Sequence, residues 1–418
     1  MVLPRVVRVQ QRFDAGRISD IPRRIVEEIA RVDLGGRMKP GDSVAITAGS
    51  RGVANIALII KTLAQELQKL GARPFIIPAM GSHGGGTAEG QKSVLAHYGI
   101  TEETMGVPVR ATMETEVVGE TPQGVPVHVD KFALEADHIA VVNRIKPHTD
   151  FDGDIESGLA KMMAIGLGKH RGAILYHRAN IKDGYYTTIT QVAEVVKQKC
   201  RILFGLGVVE NSYDETALIE AIPVPLFDQR ERALLRTAKS NLARIPFDTV
   251  DVLVIDEMGK NISGAGMDTN VIARNVSQRG RAPLSQSFTR IFVRDLSPES
   301  YGNAVGIGLA DLVTRRLVEK IDMKPTYMNA ITSTNVEAAR IPVTFDTDRE
   351  AIETAIATCG IAEAERCRMV WIKNTLKLDS FIASEALVDE IQAKPNLNVT
   401  EQIGELPFDS AGNLVGLL

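Results

Sequence analysis

From Asp42 onward the sequence alternates short β-branched runs, loops and helical periodicity, and this repeat restricts the chain to few folds. "DSVAIT" reads as a strand and "AGSRG" as its loop. "VANIALIIKTLAQELQKLG" reads as a helix with Ile56, Ile60, Leu63, Leu67 and Leu70 on one face. Gly71 is placed as its C-terminal stop. "RPFIIPAM", "GSHGGG" and "TAEGQKSVLAHYG" repeat the unit, with Thr87 as N-cap. "DHIAVVNRI", "RILFGLGVVEN" and "VDVLVIDEMG" follow as later strands. Such alternation specifies an α/β fold with largely parallel sheets.

A chain of 418 residues exceeds one ordinary core, so two α/β domains are expected. The boundary falls near "NLARIPFDTVDVL", giving an N-terminal domain 1–246 and a C-terminal domain 247–404, with the tail 405–418 free to pack back on the first. In the second domain, Val252–Ile255 and "TRIFVRDL" read as strands and "NAVGIGLADLVTRRLVEKI" as a helix. Loops that follow parallel strands emerge at one edge, where ligands bind. "AGSRG", "GSHGGG", "KPHTDFDG" and "EMGKNISGAGMD" are therefore expected to line an active-site crevice between the domains.

Charge and composition remove several function classes. A net charge of −4 without a basic block gives no reason to expect nucleic acid. No apolar run approaches the roughly 18–20 residues that span a bilayer, and "MVLPRVVRVQQRF" lacks a signal-peptide core. Cys200, Cys359 and Cys367 form no CxxC pair, which suits a reducing cytoplasm and argues against disulfides or a thiolate metal site. No HExxH is present either, so a zinc hydrolase is poorly supported. All seven histidines lie between residues 83 and 177, so imidazole chemistry must come from one region.

Within that region, Gly49, Ser50 and Gly52 offer backbone N–H groups beside Arg51 at a helix start, suiting a carboxylate or phosphate. A tight turn with a solvated arginine reads equally well. His83 sits among glycines that allow close approach of a ligand. His148 follows Pro147, which ends the strand and turns the histidine into the loop. Lys161 lies inside "GLAKMMAIGLG". Burial there would lower its pKa and favour a free amine able to attack or be tethered, whereas a snorkelling head group is the ordinary alternative. His177 closes "RGAILYH", a place more usual for a packed side chain. The loop Asp256–Asn270 could take an anion through Lys260. His170 reads as exposed, and His97, His128 and His138 are assigned no chemistry.

Taken in order, Ala48–Arg51, Gly81–Gly85, Lys146–His177 and Asp256–Asn270 resemble the motifs of the nickel-dependent lactate racemase family. The resemblance implies a nickel-pincer nucleotide (nickel pyridinium-3,5-bisthiocarboxylic acid mononucleotide) tethered through a thioamide to Lys161, with His177 as the protein ligand to nickel. It implies His83 and His148 as alternating base and acid, and Arg51 on the substrate carboxylate. It also implies Lys260 as a second substrate contact, and Trp371 beside the cofactor with Gly49 and Ser50. The implied reaction is racemisation or C2-epimerisation of a small 2-hydroxy acid by proton-coupled hydride transfer. Cofactor-maturation proteins are the implied partners, and a homo-oligomer stays open.

Lactate racemases proper read Asp-His-Thr-Arg in the first loop, where this chain reads Ala48-Gly49-Ser50-Arg51. Gly84 stands where they have arginine, Lys146 replaces an acidic residue, and the His148–Lys161 interval is longer. These departures surround the substrate and leave the Lys/His set intact, so lactate is not the expected preference and sugar acids remain candidates. Two other readings stay open: a nucleotide or organic-anion binder without turnover, and a lysine Schiff-base lyase.

Overall fold

The computed structural model describes residues 1–34, 36–50, 52–275 and 285–416. The chain divides into two compact units, residues 15–242 and residues 1–14 with 243–418. The first strand, β1 (Val6–Gln11), thus belongs to the C-terminal unit and not to a domain spanning 1–246. Its pattern explains this. Val7 and Val9 enter one apolar core of that unit and Val6 enters another, so both faces of the strand are buried there.

In the N-terminal unit, β2 (Ser43–Ala48) and β3 (Arg73–Pro78) come first. A separate antiparallel ribbon follows, made of β4 (Thr115–Glu120) and β5 (Pro126–Asp130). The strands β6 (His138–Arg144), β7 (Ile202–Glu210) and β8 (Thr216–Ile222) complete a five-stranded sheet of order β3-β2-β6-β7-β8. All neighbours are parallel except β7 and β8. Alternate residues feed cores on both faces: Ala45, Phe75, Ile77, Ile139 and Val141 on one side, Val44, Ile46, Ile76, Ala140 and Val142 on the other. Each fully buried Val or Ile contributes about 1.5–3 kcal/mol, which is why β-branched runs of this length become central parallel strands.

Helix Ile56–Lys69 buries Ile60, Leu63 and Leu67, and Gly71 follows it at φ +89°. Thr87 caps helix Ala88–His97 by accepting from Gly90 N–H at 3.1 Å. Helices Tyr185–Lys199 and Phe227–Ser240 cover the opposite face. The β2–β6 ladder is registered only through Ile46 and Ala140. Beyond that point the Thr47 hydroxyl accepts from Val142 N–H at 2.8 Å and donates to Val142 O at 3.3 Å. A side chain thus replaces ladder bonds and the two strands part at their carboxyl ends.

The C-terminal unit adds β9 (Thr249–Met258), β10 (Ser287–Leu296), β11 (Leu312–Thr314) and β12 (Val343–Phe345). It continues with β13 (Met369–Asn374), β14 (Lys377–Ser384) and β15 (Leu397–Gly404). The sheet order is β12-β11-β10-β9-β13-β14-β1-β15. The first five strands are parallel, and β14, β1 and β15 join antiparallel. The expected helix over "NAVGIGLADLVTRRLVEKI" is instead a 3-10 turn (Ile307–Leu309), strand β11 and a short helix (Arg315–Glu319). Gly306 at φ +98° breaks helical geometry, and Leu312 and Val313 pair with β10. The tail packs on its own unit, where Leu406 and Leu414 share a core with Trp371. No helix of the described residues is long and apolar enough to cross a membrane.

Candidate active site

Three parallel strands deliver the N-terminal unit's histidines and loops to one sheet edge. After β2, Gly49 runs so close to the helical segment that a Cβ there would meet Met162 Cε at 3.5 Å and Asn143 Oδ1 at 3.9 Å. The next side chain, Ser50, is hydrogen-bonded through Oγ to Nδ1 of His83, which comes from the loop after β3. Tyr98 steadies the contact by donating to Ser50 O at 3.1 Å. The His83 loop turns sharply because Gly84, at φ +65°, lies against the next helix; a Cβ there would be 2.6 Å from Gln91 N. Arg51, expected on the substrate carboxylate, lies outside the described residues.

After β6, the chain reaches His148, whose N–H donates to Glu156 Oε2 at 2.6 Å. Glu156 also accepts from Gly153 N–H at 3.1 Å and pairs with Lys239 at 2.5 Å, so one buried carboxylate shapes the whole loop. Nδ1 of His148 accepts from Asp150 N–H at 3.0 Å, with the Asp150 carboxylate 3.8 Å away. Its ring packs on Phe151, with centroids 4.5 Å apart, and lies 6.1 Å from Tyr185.

Lys161 and His177 need more than a helix to meet. Sixteen residues of straight α-helix would separate them by about 24 Å along the axis and about 160° around it. The chain departs from that geometry twice. A π-helical segment, Met162–Gly166, follows Lys161 directly, and Lys169 adopts φ +52°, ψ −159° within the run to Asp183. Gly166 permits the first departure, because a Cβ there would lie 2.5 Å from Met162 Sδ and 2.9 Å from Ala79 O. Lys161 Nζ donates to Ser157 Oγ at 3.4 Å, and its charge reaches His177. Burial first, then the Lys161 ammonium, pulls the His177 imidazole down to about 4. His177 is therefore a neutral donor at pH 7. Its Nδ1 is buried without a hydrogen-bond partner, and its ring stands edge-on to Tyr185 at 6.0 Å.

Some side chains here carry no signal in their local sequence. Asn180, one turn after His177, is buried with both amide atoms unpartnered. Glu231, fully buried, accepts from Ala160 N–H at 3.1 Å and so caps the segment bearing Lys161. Burial, opposed by the Ala160 N–H and aided by Asp228, pushes its carboxyl up to about 8. Lys169, placed in the polar-looking "GKHRG", has no exposed surface. Lys161, the lysine expected to be buried, is only partly so. His170 is exposed as expected, and its ring faces Gly86.

Lys260 and Trp371 lie in the C-terminal unit. Lys260 Nζ donates to Gly264 O at 2.6 Å, within its own loop. Trp371, expected beside the cofactor, is instead a core residue with no exposed surface. Its indole N–H donates to Asp256 at 2.6 Å, and Arg294 lies over its ring. A strand residue buried on both sides has no face left for a ligand.

Residues 19–188 match the family described as the lactate racemase N-terminal domain. No curated protein matches the chain. Among solved structures, the lactate racemase apoprotein from Thermoanaerobacterium thermosaccharolyticum is similar at 14% identity, with a TM-score of 0.46 over 90% of this chain and 96% of that one. The segment matched by that family, residues 19–188, contains Ser50, His83, His148, Lys161 and His177, and in this segment the chain is similar to the lactate racemase N-terminal domain.

Proposed function

We propose that this chain is a racemase or C2-epimerase of small 2-hydroxy acids, carrying a nickel-pincer nucleotide on Lys161 with His177 as the nickel ligand. The observation that carries the reading is the buried His177 imidazole, whose Nδ1 has no hydrogen-bond partner and which the Lys161 charge reaches. The residues fit the group. A metal held by His177 would take further ligands from the group tethered to Lys161. When bound, the group would supply hydride acceptance and return at substrate C2.

The chain's own residues handle binding and protons. His83 and His148 take the hydroxyl proton from one face and return it on the other. With Nδ1 of His148 accepting from Asp150 N–H, the neutral ring carries its proton on Nε2, the atom from which His148 would donate as the acid. Ser50 holds Nδ1 of His83, which likewise assigns exchange to its Nε2. Arg51 is proposed for the substrate carboxylate and Lys260 for a second contact. Cofactor-maturation proteins are the proposed partners and the cytoplasm the proposed location.

Protein matured with the cofactor machinery is expected to contain nickel and to yield a Lys161 peptide of increased mass. It should also racemise at least one member of a panel of chiral 2-hydroxy acids. An unmodified Lys161 and no nickel after such maturation would overturn the reading. A binder without turnover would instead keep ligand affinity in His83→Ala and His148→Ala.

A further inference from the structure

Lys169 sits where the helical run turns, between Lys161 and His177, with its backbone in the left-handed region and its side chain fully buried. A lysine is an unexpected choice for such a corner: glycine fits the backbone better, and an apolar residue suits the burial better. What its ammonium touches explains the choice. Nζ pairs with Asp130 Oδ2 at 2.8 Å, at the end of β5, and donates to Gln91 Oε1 at 3.1 Å and to Pro78 O at the end of β3. Gln91 is itself fully buried, and its Nε2 donates to Gly81 O at 2.9 Å and to His83 O at 3.2 Å. Every polar atom of the Gln91 amide is thus used, one end on the lysine and the other on both sides of the His83 turn.

We infer that Lys169 is a positioning residue, which through Gln91 fixes the His83 loop to the corner joining the Lys161 and His177 segments. The relay sets the place of a proton-transferring histidine relative to the tether and the metal ligand. A buried ion pair is weak evidence for stability alone, since an apolar replacement of equal volume often serves as well. Its directional use is to hold three separate chain segments in one register. Asp130 keeps the ammonium charged against burial, which lowers the Lys169 pKa and raises that of Asp130.

This inference rests on the proposed roles of His83 and His177, so its test includes a readout that needs neither cofactor nor substrate. In cofactor-free protein labelled at histidine with 15N, imidazole signals are assigned by loss in His83→Ala and His177→Gln. Gln91→Leu should move the His83 signal and leave His177 in place, whereas Lys169→Met should move both. His97 and His138 serve as unmoved references. The neutral double variant Asp130→Asn/Lys169→Met should match the parent's thermal midpoint more closely than Lys169→Met while keeping the displaced signals. In matured enzyme, Gln91→Leu is expected to lower kcat at least tenfold with KM changed less than about threefold, because orientation and not ground-state binding is lost. A His83 signal unchanged in either folded single variant overturns the proposal, whatever the activity. If Lys169→Met fails to fold, Gln91→Leu decides alone. Absence of racemase activity with displaced signals would overturn the proposed function and leave the relay standing.

Discussion

The loop Asp256–Asn270 in the C-terminal unit and the helical run Leu167–Asp183 in the N-terminal unit both carry many polar side chains. They differ in where those groups are used. In the loop Asp256–Asn270, Asp268 accepts from Asn270 and donates its own N–H to Thr375. Asn261 accepts from Ser297, Lys260 donates to Gly264 O, and Asp256 takes the Trp371 indole N–H. The polar groups of that loop are spent on its own shape. In the N-terminal unit, His177 Nδ1 and both atoms of the Asn180 amide are buried with no partner. Leaving a buried polar group unmade costs about 1–3 kcal/mol, so a folded chain keeps such groups where something else completes them.

Substitutions can break that contrast. Lys161→Ala and His177→Ala should abolish nickel retention and turnover in matured protein, measured by metal analysis and a racemisation assay. His83→Ala and His148→Ala should keep the metal and lose about 10²–10⁴-fold in kcat. A fully active His83→Ala enzyme would return that loop to a structural role. Glu231→Gln should change stability by pH rather than by activity. The native carboxyl holds its proton up to about pH 8 and the unfolded one releases it near 4.5. The stability it provides is therefore complete below 4.5 and lost as pH rises to 8, a slope worth on the order of 4 kcal/mol that the glutamine removes. His177 acts in the opposite sense. Its folded value of about 4 lies under the ordinary 6.5, so its stability is full above 6.5 and fades as pH falls to 4. Denaturant melts of parent and variant from pH 4 to 9 would resolve the two slopes. In the C-terminal unit, Trp371→Phe should lower stability by about 1–3 kcal/mol through the lost hydrogen bond to Asp256, which keeps its pairing with Arg294, and leave kcat unchanged. A large loss of kcat with unaltered melting would place that indole in the chemistry after all.

Much of this architecture was legible because buried parallel strands declare themselves as β-branched runs between glycine loops. The helix stop at Gly71 and the cap at Thr87 follow from local chemistry alone. The histidine-bearing loops were legible for the same reason, since each follows a strand. What escaped sequence reading depends on distant partners. β11 looked helical because Leu312 and Val313 fit either period, and only the vacant edge of β10 decides between them. Lys169 looked solvated because nothing in "GKHRG" reveals Asp130 or Gln91. Spacing concealed the meeting of Lys161 with His177. Gly158 and Gly166 did hint that the run was no regular helix.

The position of β1 has a consequence for how the molecule comes into being. It is held on one side by β14 and on the other by β15, so neither partner exists until the second unit's other strands have been made. The unit 15–242 can meanwhile complete its own sheet, because every strand it needs is already present. The C-terminal sheet closes around a segment that precedes its β14 partner Ser380–Ser384 by 370 residues (380 − 10) or more, an extreme loop closure whose entropy must be met late. During synthesis β1, with its three valines, waits unpaired for its place in the sheet until β14 and β15 have been made.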